Sequence, residues 1–194
     1  MGYDISGHNP SVTEYPQYCK DLEKKYSTGE DDFFWLDKAT DAERSQWHYQ
    51  DTKWKSENDG VYFRSPVWLW PTTWTFVGHL MNDLIDEKLF DRGYYNDFAG
   101  YNEDIAKQIS VVIKDAISTG ELKHMYKQYA SQMKAKGRVN EDDVGYKKVS
   151  TSAGYDYEIK TDPKVETYHS FNRLKNHLNA FADFCAASGG FTIG

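Results

Sequence analysis

Residues Tyr62-Phe63-Arg64-Ser65-Pro66-Val67-Trp68-Leu69-Trp70-Pro71-Thr72-Thr73-Trp74 gather three of the chain's six tryptophans, one arginine and two prolines into thirteen positions. The chemistry these types can do together is recognition. Indole and phenol rings offer large rigid faces at low entropic cost, and a guanidinium offers a planar charged fork, so the set suits flat aromatic or phosphorylated ligands. Tyr62, Arg64, Trp68 and Trp70 are the candidate ligand-binding residues of this stretch. A second loop, Gly93-Tyr94-Tyr95-Asn96-Asp97 followed by Gly100-Tyr101-Asn102, adds Tyr95 and Asn96 as side chains able to read polar edges. Turn chemistry explains the same glycine and asparagine residues without any ligand.

Reactive chemistry leaves less trace. His79 and Asp83 stand four apart with Asp86 beyond them, a spacing that could supply metal ligands, but no second histidine or carboxylate cluster completes a set. His169 and His177 share a helical face with Asn172 and Arg173, which reads as a solvated polar surface. There is no Gly-x-Ser-x-Gly elbow, phosphate-cradling lysine loop or dinucleotide fingerprint. Asp31-Asp32 and Asp142-Asp143 read as solvated acidic loops. Cys19 and Cys185 are far apart, without metal-ligand spacing. The expectation is a non-enzymatic protein with no cofactor and no metal, with a hydrolase assembled from distant loops as the outside alternative.

The elements that must position these residues are mostly helical. Ser65-Pro66 reads as a helix start, serine capping and proline at the first position, with Val67, Trp70, Trp74, Val77, Leu80, Met81 and Leu84 recurring at helical spacing. Pro71 must kink that helix or reset its start. On this stripe Trp70 and Trp74 are candidates for the core as well as for a ligand, and Trp68 falls off it. Asn102 opens the clearest helix, which carries Ile105, Ile109, Val112, Ile113 and Ala116 and stops near Gly120. A partner helix follows with Leu122, Met125, Tyr129 and Met133, closing at Gly137. Ser170 caps a last helix bearing Phe171, Leu174, Leu178, Phe181 and Cys185, ended by Ser188-Gly189-Gly190.

Strand signals are short. Tyr3-Asp4-Ile5 near the start and Gly189-Gly190-Phe191-Thr192-Ile193 near the end can pair and tie down the termini. Two alternating runs around Ser152-Ala153-Gly154 suggest a β-hairpin or loop excursion near 145–160. Residues 14–58 are polar and ring-studded, hold a Thr40/Glu43 capping box, and read as an insertion whose rings cover the main domain or a neighbouring subunit. The fold class expected is mainly α with minor β (α+β), one compact helical domain spanning 1–194.

Composition bounds the partners. A length of 194 residues can bury a core without staples. Net charge of −7 argues against coating bulk nucleic acid, whose affinity comes from neutralised phosphates. An aromatic content of 16% exceeds what a small core needs and points to interfaces, hence a homo-oligomer. No apolar run is long enough to span a membrane, and no leader pattern opens the chain, so an intracellular location is expected.

Three segments carry a family likeness: the opening Met1-Gly2-Tyr3-Asp4-Ile5 with Gly7 and Asn9-Pro10; the central Tyr62-Phe63-Arg64 with Val67-Trp68 and Trp70; and the closing Phe181-Ala182-Asp183-Phe184-Cys185 with Ser188-Gly189-Gly190-Phe191. In these the chain resembles a widespread family of small proteins encoded by tailed bacteriophages. It departs from them in residues 14–58 and at Ser65-Pro66. The resemblance implies an early, non-virion protein acting in the host cytoplasm, of the kind that neutralises host defence. One function implied is a counter-defence sponge that sequesters a cyclic oligonucleotide signal, a cyclic dinucleotide or related small nucleotide. The alternative is a protein–protein inhibitor whose acidic, tyrosine-rich surface, with Asp31-Asp32 and Glu141-Asp142-Asp143, occupies a host protein's partner or nucleic-acid site.

Overall fold

The structure is a computed structural model describing residues 2–27, 35–81, 84–150, 156–162 and 164–194. It is mainly α with a small antiparallel sheet. Strand β1 (Gly2–Gly7) pairs with β2 (Tyr62–Pro66) on one side and β8 (Phe191–Ile193) on the other, and β8 pairs with β3 (Ala99–Tyr101), giving the order β2-β1-β8-β3. The first and last strands therefore lie side by side, with Ile5 opposite Ile193 and Gly7 opposite Phe191.

One face of this sheet is the floor of the core. Side chains alternate across a strand, so Ile5, Phe63, Phe191, Ile193, Ala99 and Tyr101 all point the same way. Onto them pack α3 (Trp70–Met81), α5 (Glu103–Thr119) and α7 (Phe171–Ala187), with α4 (Glu87–Tyr94) and α6 (Glu121–Ala135) flanking; the α5–α7 contact is the most extensive between helices. Asn102 and Ser170 cap α5 and α7 by accepting from the Ile105 and Arg173 amides, and Gly120 closes α5 in the left-handed conformation.

Ser65-Pro66 does not start a helix. Both residues end β2, because Tyr3 pairs with Ser65 and fixes the segment in the sheet. A turn closed by the Leu69 amide on Pro66 O follows, and α3 begins at Trp70, so Pro71 falls in its first turn, where a missing N–H costs nothing. The stripe then turns inward. Trp70 and Trp74 are completely buried and stacked with centroids 5.3 Å apart, and their indole N–H groups donate to Gly93 O and Phe90 O, each at 2.9 Å. Trp70 is a core residue and leaves the candidate binding set. A buried indole is favourable only when its N–H is satisfied, and the α4 carbonyls supply that partner.

The described residues of the 14–58 segment build a small core of their own, while the rings of Phe33 and Phe34 lie outside the described residues. Helices α1 (Gln17–Tyr26) and α2 (Asp41–Glu57) bury Cys19, Leu22 and Ala39, none of which joins the principal cluster. Rings finish the job that aliphatics do elsewhere: Trp35 meets Trp47 edge-on at 5.6 Å, and Tyr15 meets Trp54 at 4.9 Å. The Tyr15 hydroxyl sits 3.1 Å from Asp51 and 3.2 Å from Glu23, and burial with these carboxylates pushes its acidity far down. The Thr40/Glu43 capping box starts α2 as its spacing predicts. Asp31-Asp32 and Asp83 lie outside the described residues.

Strands β4 (Val139–Asn140) and β7 (Thr167–Tyr168) form a short parallel pair, and β5 (Tyr146–Ser150) with β6 (Asp156–Lys160) form the expected antiparallel excursion, its turn lying outside the described residues.

Candidate functional site

The opposite face of the four-stranded sheet carries the polar half of each strand's alternation. Two rows of side chains cross it. In the first, Arg64 lies opposite Asp4, the Gly194 amide donates to Asp4 O at 3.0 Å, and the Phe98 ring approaches to 3.0 Å the point where a Gly194 side chain would begin. In the second, Tyr62 lies opposite Ser6, Ser6 opposite Thr192, and Thr192 opposite Gly100. Gly194 and Gly100 leave the middle of this face flat, with an aromatic edge at Phe98 and a guanidinium edge at Arg64.

Charge on the face is mixed. Lys55, reaching from α2, stands 5.0 Å from the centre of the Tyr62 ring while pairing with Asp51 at 2.8 Å. Arg64 Nε is 3.7 Å from Asp4 Oδ1, and the two side chains keep 60% and 48% of their surface in contact with solvent. A pair so exposed contributes about 0–1 kcal/mol, so an anionic ligand can compete with Asp4 for the guanidinium. Tyr62 donates its hydroxyl to Asp4, and burial together with that carboxylate pushes the phenol up to about 12. His8 and Thr192 share a 2.7 Å hydrogen bond on the same face.

The six sequence candidates thus fall in separate places. Tyr62 and Arg64 stand two apart on β2, on one face, as strand alternation requires. Tyr95 and Asn96 sit in the loop between α4 and β3, at the other edge of the sheet, roughly 14 Å away at about 4.8 Å per strand. Tyr95 is 72% exposed, and its neighbour Phe98 is 71% exposed. Asn96 and Phe98 have φ of 61° and 47°, the latter unusual for a bulky side chain. Arg92 fastens this loop by donating from Nε to Asp97 O at 3.1 Å and from its terminal nitrogen to Phe98 O at 2.8 Å. Trp68 lies in the turn beyond β2, 59% exposed, with its carbonyl accepting from His169 Nε2 at 2.8 Å. Trp70 is interior, as described.

Asp4, Lys55 and Phe98 were not singled out by sequence reasoning. The alternation of Tyr3-Asp4-Ile5 was the available signal for Asp4, because the residue between two inward apolar side chains of a strand must face outward. Nothing local marks Lys55, which arrives from a distant helix.

The histidine pair does not form a solvated surface. His169 is held between Trp68 O and Glu141, which also accepts from the Ser170 amide at 3.0 Å and from Arg173 at 3.0 Å. Glu141 stays ionised below the usual carboxylate range through these bonds, against the opposing effect of burial, so it ties the Glu141–Asp143 turn to α7. His177 lies against Phe63 with centroids 5.1 Å apart, its Nε2 2.8 Å from Ser65 Oγ. That serine is completely buried, so the pair is closed to a substrate. His79 faces two shallow clefts of about 340 and 380 Å³, one against α6 and one against α4. Among the described residues, no group of three His, Cys, Asp or Glu side chains is placed to hold a metal.

Among the described residues, no helix is long and apolar enough to cross a membrane. Compared with known proteins, the chain matches no family model, no curated protein and no solved structure.

Proposed function

We propose that this chain is a non-enzymatic binding protein that captures a flat, anionic, nucleotide-type ligand on the open face of its sheet. The observation that carries the reading is the placement of Tyr62 and Arg64 side by side on that face, with Lys55 over the Tyr62 ring and a glycine floor leading to Phe98. Bases stack on rings, and phosphates are met by guanidinium and ammonium groups. The resemblance to tailed-bacteriophage proteins supports reading the ligand as a cyclic oligonucleotide signal of host immunity, met in the host cytoplasm. Mass spectrometry of small molecules released by heating purified protein tests this: a co-purified nucleotide supports it, while ligand recovered only in hydrolysed form points to the hydrolase alternative.

A second reading, an inhibitor that docks on a host protein, is favoured by one feature. Tyr95 and Phe98 project from a loop held in left-handed backbone conformations, and exposed rigid rings are common anchors of protein interfaces. A stoichiometric partner retrieved from host lysate by the native protein, and lost with Phe98→Ala, supports this reading.

A further inference from the structure

Strand β2 is an edge of the sheet, and the direction of its backbone groups can be worked out. Gly7 donates to Val61 O at 3.0 Å, so the residue pairs of that parity, Ile5 with Phe63 and Tyr3 with Ser65, are the hydrogen-bonded ones. Asp4 and Ser6 turn their backbone groups the other way, toward β8, as the Gly194 amide on Asp4 O shows. It follows that the N–H and C=O of Tyr62 and Arg64 point out of the sheet. An edge with outward donors and acceptors is a template for another strand.

We propose that β2 pairs antiparallel with β2 of a second copy of this chain, with Tyr62 opposite Arg64 of the other copy and Phe63 on the twofold axis. The register follows from side-chain chemistry. Placing Arg64 opposite Arg64 sets like charges against each other and faces Tyr62 with Pro66, which has no donor. Placing Tyr62 opposite Tyr62 faces Arg64 with Gly60, outside the strand. The Tyr62–Arg64 register uses both outward residues twice and sets each ring beside a guanidinium on the outer face. On the inner face it brings together two Phe63 rings, each half-buried against its own Phe181 and Phe184. The two four-stranded sheets become one continuous sheet, and the ladder is short, which gives a concentration-dependent dimer. This pairing rests on backbone direction and does not depend on the ligand reading.

Sedimentation across a protein concentration series, combined with engineered cross-linking, tests it. The native protein is expected to move to twice its 22.5 kDa mass as concentration rises. Tyr62→Pro, which removes an outward N–H and leaves the β1 ladder intact, is expected to remain monomeric with native circular dichroism. Tyr62→Cys and Arg64→Cys proteins, mixed and oxidised, are expected to form a disulfide-linked heterodimer that neither forms alone; the natural Cys19 and Cys185 are buried and do not interfere. A native protein that stays monomeric throughout overturns the proposal, as does a dimer that survives Tyr62→Pro or lacks the mixed cross-link. Nucleotide binding by a strictly monomeric protein refutes this pairing alone and leaves the proposed function standing.

Discussion

Ser65 Oγ and His177 Nε2 lie 2.8 Å apart although 112 positions separate them in the chain, and this one hydrogen bond joins the edge of the sheet to the helix beneath it. Burial, aided by the positive charges of Arg173 and His169, pushes the His177 imidazole down to about 4 from its ordinary 6.5.

Stability therefore falls on acidification in a defined window. Above pH 6.5 the ring is neutral in both states and contributes no pH dependence. Between pH 6.5 and 4 the unfolded chain takes up a proton that the folded one refuses, which favours unfolding. The loss amounts to roughly 2 kcal/mol once the ring's residual contact with water is discounted. Urea titrations from pH 7.5 to 4 check this, and His177→Gln, which retains a partner for Ser65, is expected to flatten that part of the profile.

Two neighbouring tryptophans have opposite fates. Trp70→Ala removes a fully buried ring stacked on Trp74 and is expected to cost about 3–5 kcal/mol, whereas Trp68→Ala, in the exposed turn, is expected to stay within about 0.5 kcal/mol. Chemical denaturation of both variants decides it, and similar losses would put the packing of α3 in error.

Glycines at similar φ also separate. Gly60 has φ of 80°, and a side chain there would begin 2.3 Å from the Ala187 carbonyl carbon, where the approach to β2 crosses the end of α7. Gly120 has φ of 83° with open space around it. Gly120→Ala is expected to cost about 1 kcal/mol, the left-handed backbone penalty alone, and Gly60→Ala at least ~2 kcal/mol. Thermal unfolding midpoints give the order directly.

Asp4 sits beside Arg64 and accepts from Tyr62, so on the proposed function its charge opposes the anionic ligand. Asp4→Asn keeps the shape and removes the charge, so affinity for a nucleotide is expected to rise about 3- to 10-fold, with the gain shrinking as salt is raised. Calorimetry at low and high ionic strength measures both effects.

Helices were legible where a cap met a long apolar stripe, as with Asn102 and Ile109 or Ser170 and Leu178, whereas α4, capped by Asp86, is only eight residues long and too short to show one. The pairing of the two termini was legible from their short alternating runs. Ser65-Pro66 misled because its local chemistry suits a helix start, while long-range pairing with Tyr3 holds it in a strand; tertiary structure overrode the cap signal. Trp70 misled for a related reason, since an indole suits a ligand and a core equally until a carbonyl for its N–H is known, and Gly93 O belongs to another helix. The candidate face was legible only in residue type. Tyr62 and Arg64 stand out by their chemistry, but the strand that sets them side by side is held by pairing with β1 and has no local signal, and the other side chains on that face, Asp4, Lys55 and Phe98, come from three other elements that no local pattern links.

The central claim is that the Tyr62–Arg64 face holds an anionic ligand, and isothermal titration with cyclic di- and trinucleotides tests it most directly. The native protein is expected to bind at least one with Kd below about 10 μM, and Arg64→Ala to weaken that binding about 10-fold or more with its unfolding midpoint unchanged. No heat of binding from any of them at that concentration, or binding that Arg64→Ala leaves intact, contradicts the account.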